Sequence, residues 1–334
     1  MNIPYRDLIT TLRAIGEKYV TPDEADYFAT ELAEAYVRKY PRSNVLKEAV
    51  IDDIQRLKKY KDNEMNIIID LPALIRVDCN HLPLTHKIKW IHDTLEEKAK
   101  KSGIAFFAFD NSGGMHTLHL WTQGLAKRGL FAFGAYNGGP AGVVPANGTR
   151  GALGTNPITY GFPTNEGTTV VDMATAEAPF FEVSDAKKNG TPLRPNIAVD
   201  ANGNPTTDAS AALDDMDVSN ILPIGGSYRG FAINYLVEIM TGSLINAKMS
   251  NTQDPSYIDE DHGGFILAIN LESFGSLEQF KSSTSQFNTY VRSQKSKDGS
   301  PIVIPGDRNM QKIASSEKTV TIDDVIWDQL QKLS

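Results

Sequence analysis

The chain lacks the features that define several large classes of protein. Cys79 is the single cysteine in 334 residues, so no internal disulfide can form, and a reducing compartment fits this composition. Nothing in the sequence around Cys79 marks it as an activated thiol. Residues 1–10 have no apolar core of a signal peptide, and no run is long and apolar enough to cross a bilayer. We therefore expect a cytoplasmic protein without a membrane partner.

Positive charge and the common nucleotide motifs are scarce as well. Lys and Arg number 33 against 41 Asp and Glu, which gives a formal net charge of −8. We expect no nucleic-acid partner, because holding phosphates over a wide surface requires a basic face. The sequence has no G-x-G-x-x-G between a strand and a helix, no Walker A loop, no H-E-x-x-H and no paired Cys-x-x-Cys. The Rossmann fingerprint for dinucleotide binding is therefore absent.

The N-terminal part of the chain predicts helices alternating with strands. The length exceeds what one core usually holds, so we expect two or more domains. The first 60 residues are predicted to be helical, with a capping box at Thr21–Glu24 and a helix stop at Pro41. The elements predicted next are a helix carrying Ala49, Val50, Ile54 and Leu57, a strand at Ile67–Leu71, a helix from Ile88 to Ala99 that ends at Gly103, and a strand at Ile104–Phe109. This alternation indicates an α/β layer.

The composition changes at about residue 130. Glycine and proline become frequent, and strand-like runs at Leu130–Phe133, Ile158–Tyr160 and Thr168–Val171 are separated by turns. We therefore predict a β-rich domain at 129–224.

Beyond that region the chain again predicts long helices and apolar strands, as in its N-terminal part. "GGSYRGFAINYLVEIMTGSLINA" predicts a glycine-rich turn that leads into a long buried helix, and Phe265–Ile269 predicts a core strand. We therefore expect residues 1–128 and 225–334 to form one discontinuous helical domain, used for substrate binding and dimerisation, into which the β-rich domain is inserted.

The stretch "DNSGGMHTLHLW", Asp110–Trp121, places two histidines beside a glycine pair, directly after a predicted strand. His116 and His119 could share a helix face, but no motif supplies a further zinc ligand, so we expect no metal site. Each histidine remains either a catalytic acid–base group or a structural residue at a helix start.

Three polar stretches could bind a ligand or could be ordinary turns and surface. Thr155 and Asn156 offer side-chain hydrogen bonds just before a strand. Asp172 ends a strand and is followed by small residues, whose backbone can approach a ligand closely and hold phosphate. Arg229 stands at the mouth of a predicted helix, where it could hold a phosphate or carboxylate.

Taken in chain order, seven segments resemble one enzyme family. They are "VVPANG", "GTNPITYGFP", "VVDMATA", "AVDANGNPTTD", "LPIGGSYRGFAINYLVEIMTG", "HGGFILAIN" and "IPGDR". The chain resembles the malate/L-lactate dehydrogenase family that is unrelated to Rossmann dehydrogenases and includes ureidoglycolate dehydrogenase, diketogulonate reductase and piperideine-2-carboxylate reductase. The resemblance covers nearly the whole chain. It implies an α/β (α+β) fold with helical N- and C-terminal segments and a β-rich inserted cofactor domain of non-Rossmann topology.

The resemblance also implies an activity, an assembly and a set of site residues. Members are homodimers that use NAD or NADP and transfer a hydride to or from C2 of a small 2-oxo or 2-hydroxy acid, or reduce a cyclic imine carboxylate. The positions that should line the cofactor are Gly138, Asp172, Met173, Ala174, Thr175, Arg229, Gly230, Pro305, Gly306 and Asp307.

The chain departs from the family where its histidines should stand. The family has Ser-His-Gly after its second helix, whereas this chain has Ser43-Asn44-Val45. Shortly downstream the family has an arginine for the substrate carboxylate, and this chain has Lys47 or Glu48 there. The family's second histidine aligns with Gly114, and His116 lies two residues further on.

The candidate catalytic residues are therefore His116 and Asn44, and the candidate substrate-binding residues are Ser43, Lys47, Gly114, Thr155 and Asn156. Reduction of a ketone needs a proton for the developing alkoxide. Either His116 supplies it, or the substrate needs none, or the chain no longer performs this chemistry. The leading hypothesis is an oxidoreductase acting on a small carboxylate. The alternatives are a cofactor-binding partner protein or sensor without redox activity, and a repurposed biosynthetic enzyme acting on an amino-acid derivative.

Overall fold

A seven-stranded mixed sheet organises the part of the chain that this computed structural model describes, which is residues 1–38, 45–139, 141–213, 218–253, 261–316 and 319–334. The strands are β1 (Asn2–Pro4), β2 (Asn66–Leu71), β3 (Leu74–Asp78), β4 (Ile104–Ser112), β5 (Leu130–Tyr136), β6 (Ile158–Thr164), β7 (Gly167–Met173), β8 (Ala198–Val199), β9 (Pro205–Thr206), β10 (His262–Asn270) and β11 (Thr319–Thr321). The helices are α1 (Tyr5–Gly16), α2 (Pro22–Arg38), α3 (Asp53–Lys59), α4 (Ile88–Ser102), α5 (His119–Lys127), α6 (Phe180–Asn189), α7 (Tyr228–Thr241), α8 (Leu277–Arg292), α9 (Asp307–Ser316) and α10 (Asp324–Leu333).

The large sheet has the order β2-β3-β4-β10-β5-β6-β7. Only the β3–β4 pair within it is parallel, and the other neighbours are antiparallel. The central strand β10 pairs Phe265 with Ala108 of β4 and Ala135 of β5, so a large ring is flanked by small side chains. This topology differs from the parallel Rossmann sheet, and the predicted fold class is confirmed.

Two predicted helix boundaries in the N-terminal half are confirmed. Thr21 and Glu24 form the capping box, with the Thr21 N–H donating to the Glu24 carboxylate at 3.0 Å. Gly103 ends α4 with a φ of +81°, a conformation that glycine adopts without strain. Pro41 lies outside the described residues.

Two other expectations need correction. The first residues are not helical, because β1 pairs with β11 near the other end of the chain. The helix containing Val50 is not α-helical throughout; Val45 and Leu46 are α-helical, and a π-helical turn, Lys47–Asp52, then leads into α3.

The predicted domain boundaries, 1–128 with 225–334 and 129–224, stay a prediction. The sheet continues across residue 128, since β5 pairs with β10 and carries β6 and β7 with it. A second apolar cluster, separate from the main core, is formed by residues between Val143 and Ile221. This part of the chain also contains α6, which the sequence analysis did not predict.

Helix α7 is less buried than its apolar sequence predicts. Its inner face is formed by Gly230, Asn234, Val237, Glu238 and Thr241. The outer face exposes large apolar side chains, which are Tyr228 (71%), Ile233 (47%), Tyr235 (52%) and Leu236 (56%). The prediction of a buried helix is therefore wrong for the single chain, because apolar residues cover both faces and only one packs inside. Among the described helices, none has the length and apolar character needed to cross a membrane.

Candidate active site

A glycine-containing loop at 113–118 connects the end of β4 to the start of α5. The Arg56 guanidinium of α3 lies against it. A Cβ added to Gly113 would fall 2.3 Å from Arg56 Nη1, so a larger residue would displace the arginine. The loop therefore needs glycine at position 113 to keep its contact with α3.

His116 projects from this loop toward α3. Its Nε2 lies 3.0 Å from Asp53 Oδ1, and its Nδ1 lies 3.9 Å from Glu48 Oε2. The backbone of His116 has a φ of +54°, a left-handed conformation that costs energy for most residues. Its side chain is 9% exposed. The loop thus holds an imidazole between a buried carboxylate and one that faces solvent.

Charge pairing sets the protonation of this dyad. Asp53 also accepts from Arg56 Nη1 at 2.9 Å and from the Thr85 hydroxyl. Burial alone would raise the pKa of Asp53, but His116, Arg56 and Thr85 together hold that pKa below its usual range. Burial alone would lower the pKa of His116, and the Asp53 carboxylate raises it above the usual value. His116 is therefore a histidine that stays protonated to a higher pH than usual.

Gly114 leaves room beside this histidine. A Cβ added there would lie 3.7 Å from His116 Nδ1, an ordinary van der Waals distance. The His116 ring therefore lies next to the space in which a side chain at position 114 would begin. This is the position at which the resemblance implies a histidine.

His119, the first residue of α5, has a different environment. Its Nδ1 lies 3.3 Å from Asp172 Oδ2 and its Nε2 lies 3.1 Å from Asn309 Nδ2. The Leu118 N–H also donates to Asp172 Oδ2 at 2.9 Å. Leu118 is the last residue of the loop that contains His116, and Cα atoms two residues apart are separated by at most about 7 Å. The bond to Leu118 therefore places the Asp172 carboxylate close to this loop.

The predicted cofactor residue Thr175 and the predicted substrate residue Asn156 belong to one buried polar network. Asn156 is fully buried; its Nδ2 donates to Glu238 at 2.7 Å, and its Oδ1 accepts from the Gly138 N–H at 3.1 Å. Asn234 of α7 donates to the Thr175 hydroxyl at 2.9 Å. The network fixes the Gly138 loop and the end of β7 against α7, and substrate binding by Asn156 stays a prediction.

Thr155 lies at the edge of the same network. It is half-buried, and its hydroxyl donates to the Gly138 carbonyl at 3.3 Å. A Cβ at Gly138 would fall 2.4 Å from Thr155 Oγ1, so glycine is required at this close approach. The substrate-binding role of Thr155 also stays a prediction.

The start of α7 meets the segment after β7. The Ile224 N–H donates to the Thr175 carbonyl at 2.9 Å, and Gly230 packs directly against Ile224. Arg229 is exposed at this helix start. The structure therefore brings the predicted cofactor residues Asp172–Thr175 and Arg229–Gly230 to one region.

The predicted cofactor segment Pro305–Asp307 lies beside β7. A Cβ at Gly306 would be 3.0 Å from Thr169 Cγ2. The Asp307 carboxylate is engaged by Arg292 at 2.5 Å and by the Ile304 N–H at 3.1 Å. Asp307 therefore holds α8 and α9 together, and a contact between it and a cofactor stays a prediction.

Two predicted residues near the second helix, Ser43 and Asn44, lie outside the described residues. Lys47 Nζ bonds both carboxylate oxygens of Asp52, at 2.7 and 2.9 Å. Its positive charge is therefore already paired, and its role in substrate binding stays a prediction.

The sequence analysis missed the residues that hold His116. Asp53 and Arg56 are charged, yet they lie on the buried side of α3 at helical spacing. Charged residues on an otherwise apolar helix face are a signal that could have marked them. Their pairing with a loop 63 positions away has no local signal.

Comparison with known proteins identifies the family. The sequence profile of the family described as malate/L-lactate dehydrogenase matches residues 3–331. The chain belongs to this family. The resemblance stated above is confirmed. Because its relatives are dehydrogenases and reductases, membership of this family implies that the chain uses a nicotinamide cofactor.

Individual relatives fall into two groups by name. Over 243 residues the chain is 32% identical to a malate/(S)-sulfolactate dehydrogenase of Methanothermus fervidus, covering 71% of this chain and 68% of the relative. It is 35% identical over 208 residues to a Δ1-pyrroline-2-carboxylate/Δ1-piperideine-2-carboxylate reductase of Pseudomonas aeruginosa, covering 59% of this chain and 58% of the relative. The structure of the sulfolactate dehydrogenase from Methanocaldococcus jannaschii has a TM-score of 0.83 at 21% identity, covering 100% of this chain and 96% of the other. That likeness shows the shared fold.

Proposed function

We propose that the protein is an NAD(P)-dependent oxidoreductase that transfers a hydride to or from C2 of a small 2-oxo or 2-hydroxy acid or a cyclic imine carboxylate, with His116 as the proton donor in the reduction of a 2-oxo acid. The observation that carries this proposal is the His116–Asp53 pair. It lies beside Gly114, where the family has a histidine, and 3.0 Å separates its ring nitrogen from the carboxylate.

The residues around β7 fit a bound nicotinamide cofactor. Gly139 has no atom within 4 Å of an added Cβ, so the loop after Gly138 faces open space. Small residues follow Asp172, and Arg229 is an exposed cation at a helix start. We propose that these residues, with Met173, Ala174, Thr175 and Gly230 and the turn Pro305–Asp307, hold either NAD or NADP.

Two residues of the protein supply the proton, His116 as its donor and Asp53 as the group that orients this donor. When bound, a reduced nicotinamide would supply the hydride that adds to C2 of the substrate, whose carbonyl oxygen would take up the π electrons of the C=O bond. His116 then gives the oxygen the proton on Nδ1, while Nε2–H keeps its bond to Asp53. Asp53 fixes the ring and stabilises its charged form, as a carboxylate does for a catalytic histidine. Ser43, Asn44, Lys47, Gly114, Thr155 and Asn156 remain the proposed surroundings of the substrate.

The test is a fluorescence titration with NADH and NADPH, followed by absorbance assays with 2-oxo acids and cyclic imine carboxylates. We expect saturable binding of at least one cofactor and turnover with at least one substrate class. No binding of either cofactor would overturn the proposal. Binding without turnover across the panel would favour the other candidate, a cofactor-binding partner protein. The reason to consider it is that Asn44 and Gly114 stand where the resemblance implies histidines.

We also propose a homodimer in the cytoplasm. The exposed apolar face of α7, defined by Tyr228, Ile233, Tyr235 and Leu236, is a face of the kind that second copies cover. Light scattering should give a dimer mass for the wild type and a monomer mass for Leu236→Asp. A monomeric wild type at micromolar concentration would contradict this assembly.

A further inference from the structure

A partly exposed carboxylate lies near the second nitrogen of the His116 ring. Glu48 Oε2 lies 3.9 Å from His116 Nδ1, and the Glu48 side chain is 45% exposed. The opposite ring nitrogen faces Asp53, which is buried and already bonded to Arg56. An incoming substrate that reaches Nδ1 would therefore meet the Glu48 carboxylate.

The backbone holds Glu48 at this place. In the π-helical turn at Lys47–Asp52, the Asp53 N–H donates to the Glu48 carbonyl. That bond spans five residues and ties Glu48 to the residue that anchors His116. Wide turns of this kind are frequent at functional sites.

Within the described part of the chain, no neighbouring lysine pairs with Glu48. The adjacent Lys47 donates both its bonds to Asp52, so its ammonium faces a different carboxylate. Among the described residues, His116 is the only cationic side chain within ion-pair distance of Glu48. The nearly half-exposed Glu48 carboxylate is therefore available to accept from an N⁺–H group of a substrate, and it repels a substrate carboxylate that comes as close.

We infer that Glu48 determines specificity and selects a substrate whose reacting end carries a protonated nitrogen, such as the iminium form of a cyclic imine carboxylate, over a 2-oxo dicarboxylate. This inference rests on the proposed function. An arginine in this part of the site, as the resemblance implies for the family, would hold a substrate carboxylate; a glutamate would repel one and pair with N⁺–H.

The experiment compares kcat/KM for Δ1-pyrroline-2-carboxylate and oxaloacetate in the wild type, Glu48→Gln and Glu48→Arg. Glu272→Gln, an exposed glutamate outside the site, is the control for net charge. We expect the wild type to prefer the imine. Glu48→Gln should lower the imine-to-oxaloacetate ratio by roughly 10- to 100-fold, since hydrogen bonds to charged groups have about that effect. Glu48→Arg should lower it further, and Glu272→Gln should leave it unchanged.

Three outcomes are decisive. A ratio that falls in both Glu48 variants supports the inference. A ratio that stays constant while the wild type is active overturns it and leaves the oxidoreductase proposal standing. Cofactor binding without turnover of either probe, or any 2-oxo acid, overturns the proposed function and the inference together.

A pH profile separates substrate selection from an effect on His116 alone. If Glu48 acted only by raising the pKa of His116, Glu48→Gln would move the basic limb of kcat/KM for oxaloacetate to lower pH and leave the substrate ratio constant at pH values below that limb. That result would also overturn the inference. Because Glu48 is nearly half exposed, the melting temperature of Glu48→Gln should match that of the wild type, and this measurement confirms that the variant is folded.

Discussion

His116 and His119 lie three residues apart in the same loop–helix junction, yet different carboxylates hold them. His116 is paired with Asp53 of α3, and its second nitrogen lies 3.9 Å from the Glu48 carboxylate. His119 lies between Asp172 at the end of β7 and Asn309 of α9, with its side chain 5% exposed. We propose that the first ring exchanges a proton with a ligand, whereas the second joins two elements of the fold.

The comparison shows that the hydrogen-bond partners of a histidine, more than its position in a motif, determine its protonation state and its chemical role. Asn309 donates to His119 Nε2, so that nitrogen accepts and Nδ1–H points to Asp172. His116 has a carboxylate at one nitrogen and a carboxylate near the other, which favours the doubly protonated ring. The four predictions that follow test this contrast, from the largest expected effect to the smallest.

Replacing His116 by Ala should lower kcat for 2-oxo acid reduction by about 10²–10⁴-fold, because the alkoxide loses its proton donor. The dissociation constant for the cofactor should stay within twofold of the wild type in a fluorescence titration. Turnover that survives unchanged would rule out His116 as the acid and would favour a substrate that needs none.

Gly113→Ala should destabilise the fold by roughly 1–3 kcal/mol, since its Cβ would overlap Arg56 and disturb the Asp53 pair. Gly114→Ala is the matched control, with an added Cβ 3.7 Å from His116 Nδ1, and should cost less than about 0.5 kcal/mol. Urea unfolding of both variants measures the difference. Equal stability of the two would show that Arg56 does not press on the loop.

The His116–Asp53 pair should give stability a defined pH window. The raised pKa of His116 contributes stability that is fully present below the ordinary histidine pKa of about 6.5 and lost as pH rises through the raised value. The lowered pKa of Asp53 contributes stability that is present above about pH 3.9 and lost as pH falls through the lowered value. Thermal unfolding of the wild type and His116→Gln from pH 4 to 9 tests this. The gap between them should close at high pH, and a constant gap would contradict the pairing.

His119→Gln should raise KM for the cofactor only a few-fold and leave kcat almost unchanged, because the ring positions Asp172 without touching the reacting atoms. Asn309→Ala should have a similar but smaller effect through the same contact. Steady-state kinetics at saturating substrate resolve the two parameters. A loss of kcat as large as that of His116→Ala would show that His119, rather than His116, donates the proton.

The fold was largely predictable from local patterns. The Thr21–Glu24 capping box and the Gly103 terminator set helix ends by bonds within a few residues, so the sequence alone located them. The apolar run at Phe265–Ile269 became the centre of β10 because strands buried on both faces need continuous apolar residues. Helix α7 was mispredicted because an apolar helix sequence does not say which neighbour covers each face.

The site was less predictable, since its contacts join distant segments. The family resemblance groups the segments around Gly138, Asp172 and Arg229. In the structure, hydrogen bonds that Thr175 accepts from Ile224 and from Asn234 of α7 bring the last two of these segments together. Asp53 pairs with His116 across 63 residues, and no spacing rule connects the two. Glu48 stands next to the dyad because a π-helical turn replaces an α-helical one, a choice that propensity does not encode.

The place of β10 in the sheet has a consequence for how the chain is made. Residues 262–270 lie between β4 and β5, whose nearest ends are separated by little more than α5. During synthesis β2–β4 and β5–β7 therefore leave the ribosome as two half-sheets with open edges. The strand that joins them, β10, begins only about 90 residues after β7 ends. Open edges recruit other strands, so this interval is when the nascent chain is most prone to aggregate and most dependent on chaperones. Slowing translation just before residue 262 should lower the soluble yield more than slowing it after residue 270.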